Sequence, residues 1–337
     1  MAETIQDKSL EGKKTAPVTA KSRTARLGLK SNLPWLIVFL SLSALPFLVA
    51  LFDGQSMASL IANEASLSRF IQGLAIEIFI LAVYALSYDL ILGITGLLSF
   101  GHAMFFAVGA YLTGIMLKSF GWSFLPTLGL VIIAGILQAL LFGIVLPRVK
   151  GITFALVTLG LASVFHILIQ SRELGDYTGS DVGLQGVVSP AFLNSVNNRL
   201  IFYFIALLFM FGIFSLFRRF INSPTGRVCI ALRENEDRAR MLGYNTFYFK
   251  LTALTLSSIT AALAGTLYTL SGAIIGAAVY RLLDYGLSRY IGESASFITG
   301  AIYVAIVLFV PFGIVGTWKL RSLEIRRGWE RLRKMVA

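Results

Sequence analysis

The chain has 337 residues, of which 56% are apolar and only 14% charged, and its mean hydropathy is +0.78. Charged residues make up about a quarter of a soluble domain, so a soluble globular fold is excluded. The net charge of +12 sits beside apolar runs, without the interleaved aromatic and basic residues that stack on bases, so it speaks for lipid headgroups and membrane orientation and against a nucleic-acid partner.

In chain order, residues 1–32 are polar and basic and read as a cytoplasmic tail, because no small-residue cleavage site follows them. The first apolar run, 33–52, is just long enough to cross the hydrocarbon at about 1.5 Å per residue. A second span over 70–92 carries Glu77 and Asp89; Asp89 is near enough to the edge to reach water, whereas Glu77 needs a protein partner or an aqueous path. Next comes GITGLLSFG at 93–101, whose glycines, Thr and Ser break the helical pattern. Irregular backbone at membrane depth survives only where protein or a water-filled cavity satisfies its amides. The run at 102–117 is short for a full span and reads as half of a discontinuous element with its N-terminal amides aimed into the bundle.

Further spans are expected at 124–146, 152–170, 200–217, 251–270 and 295–316, with a polar loop at 171–199 and an ambiguous stretch at 271–292, where Arg281, Asp284 and Arg289 interrupt apolar sequence. The fold class expected is an all-α polytopic integral membrane protein with about eight crossings, including discontinuous glycine-broken elements. Basic residues fix its orientation: seven lie in 1–32, two in 147–151, seven in 218–250 and seven in 317–337, while only Arg69, Lys118, Arg172, Arg199, Arg281 and Arg289 fall on the other side. That asymmetry places both termini and the 218–250 connection in the cytoplasm. The domain reading is a basic tail (1–32), a transmembrane domain (33–316) carrying the cytoplasmic segment 218–250, and a basic amphipathic tail (317–337).

Chemistry-bearing residues are sparse. Cys229 is the one cysteine and His102 and His166 the two histidines, so there is no internal disulfide, and no metal or other cofactor is expected. Neither histidine has a nucleophile in a catalytic context, and no Gly-rich phosphate loop with a Lys occurs. An enzyme is not expected, and any ATP must be hydrolysed by another polypeptide. His102 reads either as a path-lining residue or as a cap on the helix it opens, and His166 as a buried hydrogen-bonding residue. Most glycines read as packing sites, Gly272 and Gly276 having the spacing for close helix approach.

The sharpest feature is RVCIALRENEDRARMLGYNTFYFK at 227–250. A surface helix is expected over 231–242, with Arg233, Glu236, Asp237 and Arg240 on one face, Glu234 and Arg238 paired at i and i+4, and Gly243 as its stop. Two readings stay open on these residues: a handle on which a soluble partner pushes, or a solvated loop whose charges merely set orientation. An ion-coupled carrier is the rival class, but only Glu77 and Asp89 place carboxylates in the spans.

Several segments together resemble the permease subunits of bacterial ABC importers for branched-chain amino acids: GITGLLSFGHAMFFAVGAYLTG at 93–114, KGITFALVTLGLASVF at 150–165, TGSDVGLQGV at 178–187, SPTGRVCIALRENEDRARMLGYNTFYFKLTALTLSSITAALAGTLY at 223–268 and FVPFGIVG at 309–316. The resemblance implies an inner-membrane permease for Leu, Ile or Val working with two ATPase subunits, a second homologous permease and a periplasmic substrate-binding protein; closely similar permeases serve urea and short amides. It makes Glu234, Asn235, Glu236, Arg238, Ala239, Leu242 and Gly243 the core of a helix that couples to the ATPase, so that substituting Glu236 or Gly243 is expected to weaken ATPase association. It also makes Gly96, Ser99, His102, Thr153 and Thr158 candidates for the translocation path. One departure stands out: Gly272 follows Tyr268 almost at once, where relatives insert a longer periplasmic connection and another glycine-rich element, which raises a transport-deficient, shortened subunit as an alternative.

Overall fold

The computed structural model describes residues 27–52, 54, 66–180, 184, 186–187, 189–190, 193–194 and 198–271. Within these the chain is helical: α1 (Leu27–Phe52), α2 (Ser66–Asp89), a π-helical turn (Leu90–Ile94), α3 (His102–Lys118), α4 (Phe124–Gly143), α5 (Ile152–Gln170), the short α6 (Gly175–Thr178), α7 (Arg199–Asn222), α8 (Pro224–Glu234), α9 (Glu236–Met241) and α10 (Thr246–Leu270). Among the described residues six helices are long and apolar enough to cross a membrane, and α3 is shorter at 17 residues. The protein is therefore an all-α, multi-pass membrane protein. The expected crossing at 295–316, the ambiguous stretch at 272–292, the Gly272/Gly276 pair and the tail at 317–337 lie outside the described residues.

Most helices outrun their apolar segments. α1 starts inside the expected tail, α2 starts at Ser66, α7 runs on to Asn222 and α10 begins at Thr246. Apolarity marks where lipid begins, whereas the helix ends where a cap or breaker stands.

α10 is the centre of the bundle and packs on α2, α3 and α4. Its sequence explains this. Ser257, Ser258, Thr260, Ala261, Ala262, Ala264 and Gly265 are all buried, and small residues let helix backbones approach where lipid removes any hydrophobic drive between helices. The hydroxyls then bond across the interfaces. Ser257 donates to the Ser87 carbonyl at 2.5 Å, Ser258 to the Gly135 carbonyl at 2.8 Å and Thr269 to the Ala110 carbonyl at 3.0 Å, while Thr113 on α3 donates to the Thr266 hydroxyl at 2.9 Å. A second core joins α2 and α7 through Ile76, Phe79, Ile80, Phe202, Tyr203 and Leu207.

α1 is held to this pair by a defect in its own backbone. Pro46 has no N–H to give the carbonyl of Leu42, and an orphaned carbonyl in hydrocarbon needs another donor. The Tyr203 hydroxyl of α7 supplies it at 2.5 Å. Ring contacts of Trp35 with Phe214 and Phe39 with Phe211 run alongside, at centroid separations of 4.4 and 5.0 Å. Tyr203→Phe is expected to destabilise the α1 contact by about 1–3 kcal/mol, the cost of leaving that carbonyl unpaired; thermal unfolding in detergent checks it.

α5 sits at the periphery, touching mainly the start of α3, and most of its apolar side chains face outward. His166 on this helix is exposed rather than buried as expected, because the apolar periodicity of α5 cannot distinguish a lipid-facing from a protein-facing side.

Candidate coupling and translocation site

The segment after α7 forms two helices, not one. Ser223 caps α8, accepting the Gly226 N–H at 3.2 Å, with Pro224 in the first turn where its missing N–H costs nothing. Asn235 then adopts an extended conformation (φ −159°, ψ 101°) and starts α9 by accepting the Arg238 N–H on its Oδ1 at 2.9 Å. This overturns the single helix expected over 231–242. The Asn235 break also puts Glu234 and Arg238 on different helices; among the described residues they form no ion pair, and the i,i+4 pair is Glu236 with Arg240 at 3.3 Å. Asn235-Glu236-Asp237, an N-cap followed by two acids, is the sequence signal for the break.

The two helices sort the expected coupling residues into inward and outward sets. Glu236 faces inward and binds Lys250 on the first turn of α10 at 2.7 Å, and Ala239 is buried. Asp237 reaches Lys150, in the connection before α5, at 3.6 Å. Glu234, Arg238, Leu242 and Gly243 are exposed, and Gly243 makes the turn at φ +88°, a conformation that favours glycine. Met241 is absent from the expected set although it is the most exposed large apolar residue of the tip at 87%, beside Leu242 at 74%; Tyr244 and Tyr248 extend the same exposed surface.

Burial alone would raise the Glu236 carboxyl, but Lys250, with smaller contributions from Thr246 and Lys150, outweighs it and holds the carboxyl below its ordinary value. A carboxyl with a depressed folded-state value contributes stability above its unfolded value and loses it as pH falls through the folded one. The anchoring of α9 on α10 is therefore expected to persist at neutral pH and to be released only below the ordinary carboxylate range; hydrogen exchange over 236–243 against pH measures this. Cys229 is fully buried, and burial pushes its thiol up, with Thr95 acting in the other direction.

Above this segment lies the glycine-broken element. The π-helical turn lets Thr95 donate to the Leu90 carbonyl at 3.0 Å and the Leu97 N–H reach the Ile91 carbonyl at 2.8 Å, and Gly96 carries the chain out at φ +75°. Such turns are frequent at functional sites. α3 then starts at His102. Its start is pinned by α5: the Gly101 N–H donates to Thr158 Oγ1 at 3.4 Å, and a side chain at Gly101 would overlap the Thr158 carbonyl. His102 is buried among Tyr84, Tyr88 and Phe105, with its Nε2 2.8 Å from the Ser87 hydroxyl.

Of the expected path residues, Ser99, His102 and Thr158 are buried around the start of α3, with Gly96 on the break below them. Thr153 is exposed on α5, apart from the others; its place on the sequence next to a buried Phe154 gives no hint of its orientation. Among the described residues, Ser99 Oγ and His102 Nδ1 are buried without a hydrogen-bond partner. Ser87 and Ser257, which join α2, α3 and α10 at this level, carry no local signal that sets them apart in the sequence. Glu77 is half-buried on α2, on the side of Tyr268.

Comparison with known proteins bears on the same elements. A family profile described as the permease component of the branched-chain amino acid transport system matches residues 70–310. The high-affinity branched-chain amino acid transport system permease protein LivM of Salmonella typhimurium is 27% identical over 304 aligned positions, covering 74% of this chain and 70% of its own length. LivM of Escherichia coli is 29% identical and covers 66% of this chain and 56% of its own length. The LivH permease protein of Salmonella typhimurium is 22% identical over 70% of this chain and 91% of its own length. The chain thus spans between half and three-quarters of the length of the two LivM relatives. The first alignment draws 304 positions from 74% of this chain, so it opens gaps against it. No solved structure matches.

Proposed function

We propose a role for this chain from one premise: it belongs to the branched-chain amino acid transport system permease family. The chain is then the membrane-embedded subunit of an ATP-driven importer of branched-chain amino acids, a transport subunit without catalytic chemistry of its own. It lies in the bacterial inner membrane with both termini in the cytoplasm, so that 218–250 emerges where ATP is hydrolysed. ATPase subunits dock on the tip of α8 and α9, a second homologous permease completes the membrane portion, and a periplasmic binding protein delivers substrate on the 171–199 side.

The observation that carries this reading is the two-helix segment itself. Exposed apolar side chains at Met241 and Leu242 sit on a charged segment that Glu236 ties to α10. A loop that merely set orientation needs neither the rigid tie nor exposed apolar groups at its tip. Gly96, Ser99, His102 and Thr158, which gather around the start of α3, are the path residues this reading favours over the exposed Thr153.

Uptake of labelled leucine into vesicles holding this chain with its copurified partners is the test. Dependence on trapped ATP and on the binding protein is expected. Uptake driven by an ion gradient alone would replace this reading with a secondary carrier, uptake of urea or short amides in place of leucine would reassign the substrate, and no uptake would make the chain a transport-deficient subunit.

A further inference from the structure

Arg233 stands exposed on a surface helix, and its guanidinium bridges to the membrane domain: Nη1 donates to the Gly93 carbonyl of the π-helical turn. Its stem lies across Gly96, where an added Cβ would stand 3.0 Å from Arg233 Cγ and 3.2 Å from its Cα and Cβ, on a backbone already at φ +75°. Cys229, four residues earlier on the same face of α8, meets Thr95 of that turn. Leu232 and Arg233 close a cavity of about 100 Å³ whose other wall is Thr95, Gly96, Leu97 and Leu98. One face of α8 is therefore seated on residues 93–98.

The segment is fixed at its other end too. Glu236 and Asp237 hold α9 to Lys250 and Lys150, so a push on the tip cannot be absorbed by the tip swinging freely. The backbone beyond Gly96 leads through Ser99 to His102, whose ring meets Ser87, and Ser87 in turn accepts Ser257 of α10. Among the described residues, Ser99 and His102 each keep a buried polar atom unpaired. Unpaired buried groups are rare and costly, and here they mark a stretch whose present arrangement does not satisfy its own polar atoms.

We propose that Arg233 is the positioning residue through which displacement of the docking segment is delivered to the glycine-broken element before α3. This rests on the importer reading above and goes beyond it, by naming where the motion enters the membrane domain. A neutral side chain at 233 would leave α8 and α9 in place, through Ser223, Asn235 and Glu236, but would uncouple them from the turn.

The experiment uses the whole complex, purified from native membranes through a tag on this chain and reconstituted in vesicles. Amino-acid uptake and ATP hydrolysis are measured together for wild type, R233A, R233K and G96A. Expected for R233A is a fall of about tenfold in uptake per ATP hydrolysed, the scale of losing one charge-assisted hydrogen bond, with ATPase recovery unchanged. R233K, which keeps a charged donor, restores most of the ratio, and G96A reproduces the loss by displacing the Arg233 stem. An unchanged ratio in R233A overturns the inference alone, as does loss of ATPase recovery, which would make Arg233 a docking residue. A wild-type complex without ATP-dependent uptake overturns the importer reading and this inference with it.

Discussion

Gly265→Leu is expected to abolish the folded bundle, with the chain no longer monodisperse in detergent. α10 and α3 approach through a reciprocal pair: a side chain at Gly265 would overlap the Phe106 carbonyl and one at Gly109 would overlap the Ala262 carbonyl. In both cases the obstruction is backbone, which cannot rotate away. Overpacking typically costs about 1–3 kcal/mol where flexible side chains can yield; here the helices must separate. Separation also stretches the Thr113–Thr266 and Thr269–Ala110 bonds, each worth about 0.6 kcal/mol and up to about 1.7 in membrane proteins. The combined cost exceeds about 3 kcal/mol. The control is Gly129→Leu on α4, where nothing stands within 4 Å of an added Cβ; a change within about 0.5 kcal/mol is expected there. Equal thermal midpoints for the two variants would show that the α3–α10 approach does not hold the bundle together.

The second large effect is expected at the tip. Met241→Asp together with Leu242→Asp should reduce ATPase recovered with the tagged chain by more than tenfold, since buried apolar anchors at an interface commonly contribute about 2 kcal/mol or more each. Both side chains are exposed in this chain, so the amount and melting of the permease itself should stay unchanged. Undiminished recovery would move the docking surface elsewhere. Glu236, the acid first expected at this contact, is committed to Lys250 and Arg240, so its substitution should act indirectly, by loosening α9. The buried thiol of Cys229 is likewise a poor probe of sidedness, and a cysteine placed at 242 serves better.

Much of this arrangement is legible in the residues. Membrane crossings show in apolar length, and the interruption at 93–101 shows in its glycines, because both depend on composition over short windows. The importance of α10 is not legible, although its Ser, Thr, Ala and Gly are plain to read. Small residues announce close packing but not which neighbour is packed against, and here the partner residues lie between 123 and 170 positions away in sequence. The outward orientation of His166 and Thr153 is not legible for a related reason, since lipid and protein interior are equally apolar and periodicity does not tell the two faces apart. The split at Asn235 is different. Its cap signal is present in the residues, but the charged periodicity of 231–242 runs straight through it and hides the break. Arg233 is exposed, in keeping with the charged face expected for it, but nothing local reveals its acceptor 140 residues earlier.

The π-helical turn at Leu90–Ile94 makes chain length, more than residue identity, the quantity under constraint at that point. Bonds reaching five residues ahead house one residue more than the α-helical turn that would otherwise join the same ends. Exchanging Ile91 for another aliphatic residue preserves the frame. Excising any single residue closes the turn into ordinary α geometry between the same ends and removes the widened backbone that presents the Gly93 carbonyl to its guanidinium. Tolerance to aliphatic replacement at Leu90, Ile91, Leu92 and Ile94, with intolerance to deletion at the same positions, is the signature this leaves.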